Sequence, residues 1–241
     1  MAGMRNAFVA AGVLAGLLAA CAPHAPRPPE ADRQAPPDFP ETYYRETARG
    51  SPVFRVDPAS SLVVIEVRRG GSLARLGHDH VVASHDVQGF VAPGEGRSDL
   101  YVALDRLVVD EPELRADAKF DTQPSEDDIA GTRRNMLNTL QAAQFPFALI
   151  NIVRGDAGGA ETGLSVSITL HGITRTLRVP VQIDAGNDAV RVTGRLSLRQ
   201  TDFGIKPLSV LGGAIQVQDV VDLRFSIRAL RILPASSLQL Q

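Results

Sequence analysis

The 241 residues carry 25 lysines and arginines against 27 aspartates and glutamates, a formal net charge of −2. No basic patch stands out, which argues against a nucleic-acid partner, and a single cysteine excludes an intramolecular disulfide. With an N-terminal signal set aside, about 220 residues remain, enough for one all-β barrel or sandwich with a sizeable core.

Met1 to Asn6 carries one charge, Arg5, and an uninterrupted apolar run follows from Ala7 to Ala20. That is the plan of an export signal, and the run is too short for a spanning helix. It ends Leu18-Ala19-Ala20-Cys21, which resembles a lipobox. The expected product is a bacterial lipoprotein with residues 1–20 removed and Cys21 lipid-anchored; an ordinary signal with a chance cysteine is the alternative. Several acyl chains, at about 0.8 kcal/mol per buried CH2, give stable attachment. Ala22 follows the cysteine, and by resemblance to sorted lipoproteins the lack of an aspartate there implies the outer membrane, with the protein facing the periplasm.

Residues 21–50 are proline-rich and poor in large apolar side chains, so they read as a disordered tether. Extended at about 3.1 Å per residue, it would reach roughly 90 Å, and as a flexible coil it would span about 30 Å. Tyr43 and Tyr44 are its candidate first ordered contacts. The expected domain is 51–233, with 234–241 a tail.

Period-two alternation dominates from Pro52 onward. Leu164, Val166, Ile168 and Leu170 oppose Ser165, Ser167 and Thr169. Leu177, Val179, Val181 and Ile183 oppose Thr176, Arg178, Gln182 and Asp184. Val190, Val192, Leu196 and Leu198 face away from Arg191, Thr193, Arg195 and Arg199. The longest run places Ile215, Val217, Val221, Leu223, Phe225 and Ile227 on one face. Less regular strands are expected near 62–68, 80–91, 99–109 and 147–153. One helix interrupts them: Ser125 caps Glu126, Asp127 and Asp128, and Ile129, Met136, Leu137 and Leu140 share a face. About eight such strands predict an up-and-down antiparallel β-barrel, with the helix covering an open end. An eight-strand barrel is either packed solid or holds one small ligand.

A series of short stretches resembles the YceI-like family over about residues 53 to 229. They are Phe54-Arg-Val-Asp57, Val87-Gln-Gly-Phe90, Arg134-Asn-Met-Leu137 leading into Phe145-Pro-Phe147, Leu170-His-Gly-Ile-Thr174, and Gln200-Thr-Asp-Phe-Gly-Ile205. The resemblance implies a lipocalin-like barrel holding a polyisoprenoid chain, such as a quinone tail or a polyprenyl phosphate, without catalysis and with no other cofactor. The chain departs from the usual pattern at Leu76-Gly-His-Asp-His80.

On this reading the tunnel is lined by Val166, Ile168, Leu177, Val179, Val192 and Leu196, together with Phe203, Val221, Leu223 and Phe225. His78 and His80 share a strand face and, with His85, can form part of a zinc or copper site; the alternative puts them in a loop at the barrel rim. His171 reads as structural. Asp202-Phe203-Gly204 lacks every other kinase feature, so Phe203 is expected to pack in the barrel and Gly204 to permit a bend. With no serine elbow and Cys21 lipidated, covalent catalysis has no candidate. Asp105, Asp110, Glu111, Asp202, Asp219 and Asp222 fall mostly on a solvated face. The leading expectation is a membrane-tethered carrier of an isoprenoid lipid; a metal-binding barrel and a structural envelope protein with a filled barrel are the alternatives.

Overall fold

The computed structural model describes residues 34–153 and 163–233. The signal segment, Cys21, residues 22–33 of the expected tether and the 234–241 tail lie outside the described residues. Twelve strands form one antiparallel sheet. In chain order they are β1 (Phe54–Val56), β2 (Leu62–Gly70), β3 (His80–Ser84), β4 (Val87–Ala92), β5 (Arg97–Ala103) and β6 (Val108–Val109). Then come β7 (Phe147–Val153), β8 (Gly163–Leu170), β9 (Ile173–Ala185), β10 (Ala189–Arg199), β11 (Ser209–Val210) and β12 (Ile215–Arg231).

The first six are three long strands, each broken once. β1 and β2 pair with β4 and β3 respectively, and β5 and β6 continue the same order. The ring therefore has eight lines of strand. It closes because β12 is bonded on both edges: β10 along one, and β2 followed by β1 along the other. This is the up-and-down barrel that the alternation predicts, closed by β12.

The breaks have local causes. Pro58 lacks an amide donor, and the Asp57 carboxylate accepts from the Ala59 amide, turning the chain out of β1. Ser84 Oγ accepts from the Asp86 amide where β3 gives way to β4. Within β4, Gly89 has φ 141°, and a Cβ there would lie 2.3 Å from the Asp99 carbonyl oxygen, so only glycine fits.

Inward residues of every line form the apolar interior. Its floor, at the β1 end, is filled by Phe54, Val56, Val190, Ile227 and Ala229, all buried. At the opposite end, helix α3 (Glu126–Thr139) lays Ile129, Met136 and the following Leu140 against the same interior. Ser125 and Asp128 make a reciprocal capping box that fixes its start. Leu137, expected on the packed face, instead lines a groove outside it.

Two further helices escaped the sequence reading. α1 (Glu41–Thr47) and α2 (Pro112–Asp117) lie against the barrel's outer surface near β4 and β3. The packed part of the chain thus begins before residue 51, inside the stretch expected to be tether. Tyr44 is fully buried there, stacked 5.1 Å from Phe90, and its hydroxyl donates to Asp99 at 2.6 Å. Asp99 also accepts from Arg97 and Asn151, and Arg97 lies over the Tyr43 ring. Burial, reinforced by the Asp99 carboxylate, pushes the Tyr44 phenol well above its ordinary value, so it remains a donor.

Tyr44→Phe removes that donor and leaves a buried carboxylate oxygen short of a partner. A loss of about 1–3 kcal/mol is expected, read as a fall of several degrees in the melting temperature.

Candidate functional site

The end of the barrel beneath α3 is its mouth. On the wall formed by β8, β9, β10 and β12, the register aligns Val166 with Leu177, Leu196 with Leu223, and Leu198 with Val221. Val166 and Val179 are buried at the centre of this wall, with Ile168, Leu177, Val192, Leu196 and Phe225 packed around them. Toward the mouth, Ile168, Leu177, Leu196, Leu198, Val221 and Leu223 are only half-buried, although all face inward. A filled core buries such side chains completely. Phe203 stands apart from the wall: it is buried in the turn Gln200–Phe203 after β10, and Gly204 ends that turn at φ 68°.

Two grooves lie outside the lumen. One, of about 530 Å3, runs over the outer faces of β9, β10, β12 and β2 beside Arg195 and Arg224. The other, of about 660 Å3, lies beside the C-terminal end of α3.

The polar chemistry collects at the mouth on the opposite wall. His80 opens β3 in register with Val67, on the inward face. Its Nδ1 lies 2.6 Å from Asp110 Oδ2, and its Nε2 lies 3.4 Å from the hydroxyl of Thr132 on α3. The other Asp110 oxygen accepts from the Val81 amide and from Arg115, which also donates to the Asp79 and Thr122 carbonyls. Asp110 was expected with the other acids on a solvated face. Its side chain is instead 0% exposed, and its backbone has φ 58°, a strained conformation for this residue. Nearby, Arg69 pairs with Asp79 and Asp121.

The three candidate metal histidines are not brought together. The His78 and His80 rings lie 6.1 Å apart, while His85 pairs with Glu111 at the break between β3 and β4. No group of three metal-ligating His, Cys, Asp or Glu side chains occurs among the described residues. His171 Nδ1 hydrogen-bonds to the Phe203 carbonyl and holds the turn after β10.

Sequence reasoning missed Asp110, Arg115, Thr132 and Arg175. Only Arg175 had a visible signal: it shares the parity of Leu177, and the register places it on the inner face opposite Ile168, exposed at the mouth.

Burial alone would raise the Asp110 carboxyl, but the hydrogen bonds from His80, Val81 and Arg115 outweigh it and hold the group below the ordinary aspartate value of 3.8. Because the folded-state value is depressed, the stabilisation is complete above that ordinary value and is lost as pH falls through the folded one. Asp110→Asn leaves Arg115 buried without its counter-charge and should cost roughly 3–5 kcal/mol at neutral pH. Urea unfolding at pH 7 and at pH 3 measures this, and the gap between the variant and the parent should narrow in acid.

The YceI-like domain model matches residues 54–229. Among solved structures, a polyisoprenoid-binding domain from Saccharophagus degradans, implicated in plant cell wall breakdown, is 12% identical; the match covers 74% of this chain and 98% of that one, with a TM-score of 0.53. Burkholderia cenocepacia BcnA is 16% identical over 72% of this chain and 98% of its own, with a TM-score of 0.48. A Campylobacter jejuni YCEI protein is 11% identical over 62% and 82%, with a TM-score of 0.39. At these identities the likeness is one of fold. No curated protein matches the chain. A closed eight-line barrel with an apolar inner face, matched along most of its length by one domain model, makes this chain a member of the YceI-like family.

Proposed function

We propose that the protein binds the hydrocarbon chain of an isoprenoid lipid inside the barrel, and carries or sequesters it without chemistry. One observation carries the reading: the inward aliphatic side chains near the mouth are left half-buried, with apolar surface still to cover. A prenyl chain laid along them is held at about 25 cal/mol per Å2 of apolar surface removed from water. Further support comes from the family and from the polyisoprenoid-binding description of the Saccharophagus degradans domain.

The carrier works from the periplasmic face of the outer membrane, attached through lipid on Cys21. Its ligand is an isoprenoid lipid of quinone or polyprenyl type.

Native mass spectrometry of protein purified gently from membranes should find a bound lipid of isoprenoid mass. Leu196→Trp, which fills the lumen without adding charge, should lower lipid occupancy severalfold while the protein still melts cooperatively. Empty parent protein in every preparation would remove the carrier reading. For the anchor, Cys21→Ser should move the protein from the membrane to the soluble fraction; unchanged membrane retention would refute attachment at Cys21.

A further inference from the structure

Under α3, several polar side chains gather on the inner face of the β3 wall. Thr132 lies between Ile129 and Met136 on the face of α3 that packs on the lumen, and meets His80 there. His80 is fixed from behind: Nδ1–H donates to the Asp110 carboxylate, and in that tautomer Nε2 is the acceptor nitrogen. Its present partner is the Thr132 hydroxyl at 3.4 Å, beyond good O–H···N distance. Beside it, His78 Nδ1 is buried and has no hydrogen-bond partner among the described residues. Buried polar atoms are rarely left so, and a ligand is one of the few explanations.

We infer that His80, Thr132 and His78 form the head-group site for a neutral lipid bearing a hydroxyl, a prenol or quinol, and not a phosphate. This rests on the carrier reading above. The hydroxyl donates to His80 Nε2 and accepts from Thr132, replacing one long contact with two good ones, while its tail runs down the half-buried wall. The local charge disfavours an anion. Asp110 stands behind His80, Asp128 lies 4.0 Å from His78, and the nearby cations Arg69 and Arg115 are already paired with Asp79, Asp121 and Asp110. Arg175, the exposed cation of the inner face, is on β9, four lines of strand away around the ring of eight.

The test compares three probes with one C20 tail, geranylgeraniol, its acetate ester and its monophosphate, by calorimetric titration into the full chain. Geranylgeraniol is expected to bind about tenfold tighter than the acetate, the equivalent of about 1.4 kcal/mol. Thr132→Val and His80→Gln should each erase most of that preference, and melting curves report whether either variant is misfolded. Thr132→Val is the safer of the two because Thr132 lies on a helix surface. Independently, geranylgeraniol should shift the ring-nitrogen resonances of His78 and His80 in the parent protein. If no probe binds the parent, the carrier reading itself fails and takes this site with it. If all three bind alike and the variants change nothing, the carrier reading stands and the head-group site falls. A monophosphate that binds tightest, and is weakened by Arg175→Gln, would place the head on the opposite wall and overturn the proposal.

Discussion

Hydrogen bonding along both edges of β12 is the constraint on which the architecture depends. That strand runs 17 residues, accepts β10 on one side, and on the other meets first β2 and then β1. A closed ladder satisfies the backbone polar groups of the ring without help from the interior. The shape is then held by main-chain geometry, and the inner side chains are not all required to fill space. An open sandwich of the same strands would lose its cohesion where packing was incomplete.

That freedom is used unevenly. At the floor, Phe54, Val56, Val190, Ile227 and Ala229 pack as an ordinary core and supply cohesion. Near the mouth, the wall of β8, β9, β10 and β12 keeps its leucines and valines partly uncovered. Across from it, the β3 wall is stiffened by a buried ionic network joining His80, Asp110 and Arg115, with α2 outside and α3 above. One wall is thus aliphatic and partly uncovered, the other polar and hydrogen-bonded. Such a division suits an amphipathic ligand, whose tail needs area and whose head needs fixed partners.

The walls were legible in the sequence because β-sheet parity is a strictly local property. In the strands from Leu164 onward nearly every second residue is apolar, Arg175 and Gly194 being exceptions, and the side chains face as that pattern dictates. The breaks in the first three lines were less visible, since they arise from single residues such as Pro58 and Ser84. Asp110 was misread because its burial depends on Arg115 and His80, brought to it from two other elements. α1 was hidden by its proline-rich surroundings; its order comes from Phe90 and Asp99, far along the chain, and not from its own helix propensity. The histidine cluster was noticed, but its partner Thr132 sits on a helix whose placement no local pattern specifies.

The docking of α1 also braces one end of the barrel from outside. Phe39 and Tyr44 contact Phe90, and Tyr44 is pinned to Asp99, all toward the filled base of the barrel. That end is therefore clamped twice, by its own core within and by aromatic rings without, whereas the end under α3 has half-covered leucines and a single helix over it. Strain on the barrel would be relieved first at the α3 end.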